Sequence, residues 1–171
     1  MKVTFAGAVK SAFLNFAQFR GVSTRPEYWY FVLFTVLMAL VLGTIESVIW
    51  PPIEAEDALA NFANQPTPFS NIFAILVLIP SLAVTSRRIR DAGWSGKWLF
   101  TLLLPLIPFI YGVVGFVTYL GTVVTPDLDT LVTLISYFVP TILLAFAVQI
   151  FLLVLCLKRS KSKEDGNRYA A

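Results

Sequence analysis

The 171-residue sequence lacks histidine, has a single cysteine, Cys156, and has few charged side chains. Without histidine there is no Ser-His-Asp triad, and one cysteine alone excludes a disulfide framework and a Cys/His zinc site within one chain. Charged residues make up 13% of the chain and hydrophobic residues 57%. Soluble domains of this size rarely have so apolar a composition, so the composition indicates a membrane protein.

Four apolar segments are long enough to cross a bilayer: residues 28–50, 69–86, 98–124 and 130–157. A helix needs about 17 to 25 apolar residues to cross a hydrocarbon layer of about 30 Å. Glu46 is the one acidic or basic residue within these segments, near the end of the first, and snorkelling to the outer interface is its simplest interpretation. The sequence therefore predicts an all-α membrane protein with a four-helix transmembrane domain over residues 26–157.

The basic residues are confined to three segments of the chain. Four of the 13 lysines and arginines precede the first apolar segment, four lie between the second and third, and five lie in the tail, residues 158–171. The connections 51–68 and 125–129 have acidic residues and no cation. Because cytoplasmic loops are enriched in Lys and Arg, both termini and the middle loop are predicted to be cytoplasmic.

Residues 1–25 have the pattern of a short amphipathic helix. At 100° per residue, one face collects the apolar side chains of Phe5, Ala8, Val9, Ala12, Phe13, Phe16 and Phe19, and Leu14 is the exception. One interpretation is an interfacial helix on the cytoplasmic leaflet, with its basic residues near anionic headgroups. The other is a helix docked on the protein itself, and the sequence does not decide between them.

Glu27 and Asp91 are the acidic residues on the predicted cytoplasmic side before the tail. Thr24 and Glu27 fit a capping box at the start of the first apolar segment, and Glu27 can also pair with an arginine of the middle loop. Orientation requires only net positive charge, so two acids among these cations indicate ion pairing. We expect one cytoplasmic charge network that comprises Arg25, Glu27, Arg87, Arg88 and Asp91.

Two further groups of residues are candidate contact sites. The basic and aromatic side chains that flank the middle loop suit anionic lipid headgroups and the bilayer interface: Arg90, Lys97, Trp94 and Trp98. Glycines in the third apolar segment allow another helix to approach closely, so we expect helix packing at Gly112, Gly115 and Gly121. Prolines inside the last three segments should kink or unwind them: Pro80, Pro105, Pro108 and Pro140.

Three stretches resemble one protein family. GVSTRPEYWYFVLF, with Phe19 ahead of it, is similar to the F-x-G-R-x-x-R-x-E-[YF]-W-x-F opening of the domain of unknown function 805 family, the YhaH-like small membrane proteins. TSRRIRDAGWSGKW is similar to the same family's A-R-R-L-H-D-x-G-x-S-G-W-W segment, and DGNRY resembles its G-x-N-x-Y-G ending. The resemblance implies a helical protein of the bacterial inner membrane whose family has no established activity.

Most positions of the three family motifs are matched in this sequence, and several are not. The matches are Phe19, Gly21, Arg25, Glu27, Trp29, Phe31, Arg87, Arg88, Asp91, Gly93, Ser95, Gly96, Trp98, Gly166, Asn167 and Tyr169. The departures are Val22 for arginine, Arg90 for histidine, Lys97 for tryptophan and Ala170 for glycine. A function that depends on a titrating histidine in the loop is not expected here.

Two classes of function fit the sequence. The first is a non-enzymatic inner-membrane protein that acts through contacts with anionic lipids, a protein partner or a second copy at its basic cytoplasmic face. The second is a small transporter or channel subunit, which requires ionisable groups at mid-membrane. An enzyme is disfavoured because the Asp127 and Asp129 pattern has too few oxygen ligands for a metal. No cofactor is expected, and nucleic acid is disfavoured because the cations lie at helix ends without a groove of stacking aromatics.

Overall fold

The computed structural model describes residues 3–51, 65–121 and 128–169, and all regular secondary structure in these ranges is helical. The elements in chain order are α1 (Phe5–Leu14), α2 (Arg25–Ile49), α3 (Pro68–Asp91), a 3-10 helix (Gly96–Leu103), α4 (Leu106–Leu120), α5 (Leu128–Ser136) and α6 (Val139–Leu157). Four stretches are long and apolar enough to cross a membrane: Arg25–Ile49, Pro68–Asp91, Gly96–Leu120 and Val139–Leu157. The predicted all-α class with four apolar helices and a short N-terminal helix is confirmed.

Prolines lie where the third and fourth apolar segments change helix type or direction. Pro105 is the N-cap of α4, directly after the 3-10 helix ends, and Pro140 lies in the first turn of α6. A first-turn proline costs no intrahelical hydrogen bond because its missing N–H would have no partner there. Pro80, by contrast, lies inside the uninterrupted helix α3. The prediction of local unwinding therefore holds for the later segments, whereas α3 does not unwind at Pro80 and a kink there stays a prediction.

The chain forms two compact units. The first unit comprises Met1–Gly96 and Ser160–Ala171, and the second comprises Lys97–Arg159. The C-terminal tail thus belongs to the same unit as the N-terminal helix and the first two apolar helices.

In the first unit, α1 is docked on the protein. It packs against both α2 and α3, and it buries Ala8 and Ala12. Ala12 forms a small core with Phe31 of α2 and Val84 of α3. The small side chains allow close approach, while edge-to-face contact of Phe13 with Phe31, at 6.0 Å between ring centroids, fixes the docking angle. The structure therefore shows α1 docked on α2 and α3, and contact of its exposed aromatic side chains with the bilayer stays a prediction.

In the second unit, α4 packs against α6 through a cluster of aromatic rings. Phe138, which precedes α6, contacts Phe109 and Phe116 of α4, and Trp98 contacts Phe151. Most large apolar side chains of α4 and α6 remain exposed. An exposed apolar surface of this extent suits a bilayer, where lipid tails are as apolar as leucine.

Candidate functional site

The candidate site is the arginine turn, residues 86–96, where α3 ends. Helix α3 continues through three arginines to Asp91, and Gly93 then ends it with a positive φ of 85°. The Gly93 N–H bonds to the Arg90 carbonyl, and the Trp94 N–H bonds to the Ile89 carbonyl. This pattern satisfies carbonyls that would otherwise lack partners at the helix end, and it needs a residue without a Cβ.

Gly96 is required at the arginine turn for a different reason, because no side chain fits at this position. A Cβ at this position would overlap the Ser86 hydroxyl and lie 3.0 Å from Arg90 Nε. The glycine therefore lets the backbone that leaves the turn pass directly over the end of α3.

Arg88 is the most deeply buried basic residue of the turn. Its side chain has no exposed surface, and its guanidinium forms an ion pair with Asp91, three residues along the same helix. The Ser160 hydroxyl donates to the same Asp91 oxygen. A buried carboxylate and guanidinium stabilise each other only when their remaining hydrogen-bonding capacity is also satisfied, and Ser160 provides part of it.

Arg87 is buried beside a different acidic residue. It is 5% exposed, and the Glu27 carboxylate of α2 lies within electrostatic range of its guanidinium. Glu27 accepts a hydrogen bond of 2.7 Å from the Ser11 hydroxyl of α1. Within the described residues, Arg87 Nε and one terminal nitrogen have no hydrogen-bond partner. Glu27 of α2 thus interacts with Ser11 of α1 through a hydrogen bond and with Arg87 of α3 through charge.

The chain between α1 and α2 is attached to the turn by backbone groups. The Ser23 N–H donates to the Arg87 carbonyl at 3.2 Å, and the Ser86 hydroxyl donates to the Phe19 carbonyl at 3.3 Å. These bonds place the start of α2 next to the end of α3.

The C-terminal tail closes over the arginine turn through Asn167. This residue is 2% exposed, and its side-chain amide donates to the carbonyls of Arg90, Asp91 and Lys161 at 3.0 to 3.3 Å. The Lys161 N–H donates to the Asp91 carbonyl at 2.9 Å. The tail is therefore a structural part of the first unit.

Tyr169 brings the last described turn of the tail to Arg90. The Arg90 guanidinium lies 5.3 Å from the centre of the Tyr169 ring, a distance typical of a cation–π contact. A hydrogen bond with Ser95, assisted by hydrogen bonding and charge from Arg168 and by the charge of Arg90, lowers the pKa of the Tyr169 phenol. The structure thus connects three segments that the sequence motifs keep far apart.

The other predicted site residues are distributed over both units. Arg25 lies on the exposed first turn of α2, and Trp94 is 36% exposed at the arginine turn. Lys97 and Trp98 are exposed on the 3-10 helix of the second unit. Arg90 is half-buried beneath Tyr169.

Two of the three predicted packing glycines lie against Tyr137, between α5 and α6. A Cβ at Gly112 would lie 2.7 Å from the Tyr137 carbonyl oxygen, and one at Gly115 would lie 2.6 Å from its ring. The atoms nearest to a Cβ at Gly121 are carbonyl oxygens of its own helix.

Two interpretations of acidic residues are corrected by the structure. Thr24 is the N-cap of α2, but its side chain makes no capping hydrogen bond, so the predicted capping box with Glu27 is not formed. Glu46 does not snorkel to water, because it is 1% exposed and accepts hydrogen bonds from the backbone N–H and hydroxyl of Ser70. Its carboxylate satisfies an N–H in the first turn of α3 that has no partner within the helix.

Sequence reasoning did not identify several of the polar partners. Ser11 and Ser160 complete the two acid–arginine clusters, yet isolated serines have no sequence pattern that marks them. Asn167 was detectable only through the tail motif. Of the residues that the structure describes, no three His, Cys, Asp or Glu lie together as metal ligands, and Asp127 lies outside the described ranges.

With this geometry established, comparisons with known proteins identify the family. The family model described as protein of unknown function (DUF805) matches residues 16–171. The chain belongs to the DUF805 family. Its DUF805 relatives include the inner membrane protein YhaH of Escherichia coli K12, which is 32% identical over 97 residues, 56% of this chain and 72% of YhaH.

A second relative is the inner membrane protein YhaI of the same organism, which is 25% identical over 109 residues, 63% of this chain and 80% of YhaI. No solved structure matches the chain. The four apolar helices and the similarity to inner membrane proteins identify the chain as an integral membrane protein of the DUF805 family.

Proposed function

We propose that this protein is a non-enzymatic inner-membrane protein that acts through anionic lipid headgroups at a basic cytoplasmic face. The observation that supports the proposal is the convergence of three cation-bearing segments, namely the chain between α1 and α2, the arginine turn and the tail. Their cations gather at one end of the first unit, because Ser23, Arg87 and Asn167 join them through hydrogen bonds.

Two of these cations are buried beside acidic side chains. Arg88 is neutralised by Asp91, and Arg87 lies beside Glu27, so both have mainly structural roles. Arg90 is half-buried, with its guanidinium 5.3 Å from the centre of the Tyr169 ring, and Lys97 is exposed. Basic residues near a membrane surface attract anionic lipid by about 1 kcal/mol each, so Arg90 and Lys97 are the proposed headgroup contacts.

Aromatic side chains support an interfacial position for the same region. Trp94 and Trp98 are 36% and 40% exposed, and tryptophan is enriched where the hydrocarbon meets the headgroups. In this proposal, each ring lies at headgroup depth, and both termini are cytoplasmic.

A transporter function receives less support. Glu46 is the acidic residue within an apolar helix that could carry an ion or proton, and both of its oxygens accept hydrogen bonds from Ser70. A carboxylate that caps a neighbouring helix is poorly suited to binding and release.

The proposal is tested by melting the purified full chain in bilayer nanodiscs. Discs of phosphatidylcholine alone are compared with discs that contain phosphatidylglycerol, for the native chain and for Arg90→Gln combined with Lys97→Gln. We expect phosphatidylglycerol to raise the melting temperature of the native chain, and the double variant to lose most of that increase.

Lys163→Gln is the matched control, since Lys163 is exposed in the tail and outside the arginine turn. It should retain most of the lipid effect. An equal response to phosphatidylglycerol in all three proteins would contradict specific headgroup contacts at the turn.

A further inference from the structure

Helix α6 has a polar side chain near the middle of its length, Gln149. The helix spans Val139–Leu157, so a rise of 1.5 Å per residue places Gln149 about 15 Å from one end and about 12 Å from the other. The surrounding helix is apolar, and it is one of the four stretches able to cross the membrane. The Gln149 amide is therefore at the depth where water is scarcest.

The Gln149 side chain is exposed and makes no hydrogen bond to any described residue. An exposed hydroxyl, by contrast, can bond within its own helix. Thr118, for example, donates to the Val114 carbonyl one turn earlier. A glutamine amide has two N–H donors and a carbonyl acceptor, and an amide that faces lipid without a partner is costly. A Gln149 amide in this position is satisfied by a polar group on a helix that packs against this face of α6.

The neighbours of Gln149 form a continuous apolar stripe. Ile142, Phe146, Gln149 and Leu153 have spacings of four, three and four residues, which place them on one side of the helix. The three apolar members are 50%, 65% and 45% exposed. Of the buried residues of α6, Val148, Leu152 and Leu155 lie on a different face, while Cys156 continues the stripe towards the end of the helix. This exposed pattern is the one by which parallel helices interdigitate, and a single polar residue within it fixes the register.

We infer that this stripe is a homodimer interface, in which Gln149 of one copy bonds to Gln149 of a second copy. Two copies inserted in the same direction have parallel α6 helices, so a two-fold axis along the membrane normal brings the two Gln149 residues to the same depth. Each amide then donates to the carbonyl oxygen of the other. A different partner would need its own polar group at this depth, whereas a second copy always provides one.

The test is energy transfer between full-length chains that bear donor or acceptor dyes, in vesicles over a range of protein-to-lipid ratios. We compare the native chain with Gln149→Leu, which keeps the size and removes the amide, and with Gln149→Asn, which keeps an amide. We expect the dissociation constant to rise about 3- to 30-fold for Gln149→Leu and less for Gln149→Asn.

Thr118→Val is the matched control, because it also removes an exposed polar group from an apolar helix, but one that is satisfied within its own helix. It should leave the dissociation constant unchanged. Energy transfer of the native chain at the level of random proximity, or an unchanged dissociation constant for Gln149→Leu, would overturn the inference.

Disulfide crosslinking gives a second test that does not depend on the Gln149 variants. In a Cys156→Ala background, Leu153→Cys on the stripe should form a crosslinked dimer on mild oxidation, while Val154→Cys, on another face, should not. Equal crosslinking at both positions would contradict the proposed interface.

Discussion

Arg87 and Arg88 are adjacent in the sequence and nearly equally buried, yet they have different partners. Successive helical residues point about 100° apart, so one guanidinium faces Asp91 and Ser160, and the other faces α2 and Glu27. The sequence indicated that two acids would pair with arginines, but it grouped all of them in one network. The choice of partner depends on how α2 and the tail pack against α3, which the residue types alone do not specify.

Double-mutant cycles on the free energy of unfolding test these two pairs. We expect coupling of about 0.5 to 3 kcal/mol between Arg88→Gln and Asp91→Asn, and between Arg87→Gln and Glu27→Gln. Removing a single partner should be strongly destabilising, because it leaves a buried charge without compensation. The crossed pair, Arg88 with Glu27, should be close to additive. Strong coupling in the crossed pair would favour one merged network instead.

Tyr169 offers a spectroscopic test of the packed tail. The hydrogen bond with Ser95, followed by hydrogen bonding and charge from Arg168 and the charge of Arg90, lowers the pKa of its phenol. We expect the Tyr169 absorbance change, isolated by subtracting the Tyr169→Phe variant, to have its midpoint below the ordinary value of 10.0. Ser95→Ala should raise that midpoint.

The lowered pKa of Tyr169 also makes the free energy of unfolding depend on pH. Because the folded-state pKa is lowered, the contribution of Tyr169 to stability is fully present above the unfolded value of 10.0 and is lost as the pH falls through the folded pKa. A midpoint at or above 10.0 in the native chain would contradict the predicted stabilisation of the Tyr169 phenolate by Ser95, Arg168 and Arg90.

At the scale of the elements, the glycines of the third apolar segment were expected to pack against a neighbouring helix, but the nearest segment is a connection between helices. Gly112 and Gly115 do face another segment closely, but the nearest atoms belong to Tyr137 in the connection between α5 and α6. Only Pro140 indicated a break near that connection, because residues 130–157 contain no charged residue to mark one. The break before α6 becomes explicable once Pro140 is seen in its first turn.

Substitutions at these glycines should therefore differ in effect. Gly112→Ala forces a Cβ against a backbone carbonyl that cannot easily move, so we expect destabilisation of about 1 to 3 kcal/mol by chemical denaturation. Gly115→Ala meets the Tyr137 ring, and combining it with Tyr137→Ala should recover part of its loss. Gly43→Ala is the control, since a Cβ there has nothing within 4 Å. A loss at Gly43 equal to that at Gly112 would contradict the packing argument.

At the scale of the whole molecule, hydropathy and length were sufficient to predict four apolar helices, because a bilayer permits few alternatives to a helix. The docking of α1 and the closure of the tail were beyond a sequence argument. Both depend on specific side-chain contacts, such as Ala12 against Phe31 and Asn167 against three carbonyls, that do not follow from periodicity. The tail motif drew attention to Asn167 without indicating what it contacts.

The contacts within the first unit also make the predicted orientation testable at a single position. An even number of spans brings the C-terminal tail back to the side of the membrane on which the chain starts. The tail, the arginine turn and the start of α2 are also in contact, so all three lie on the same side of the membrane. We expect Lys163→Cys to react with a membrane-impermeant maleimide only after permeabilisation, and Ala60→Cys to react in intact cells. Buried Cys156 should contribute little background. Reaction of Lys163→Cys in intact cells would place all three basic segments outside and would contradict the positive-inside assignment on which the proposed headgroup contacts depend.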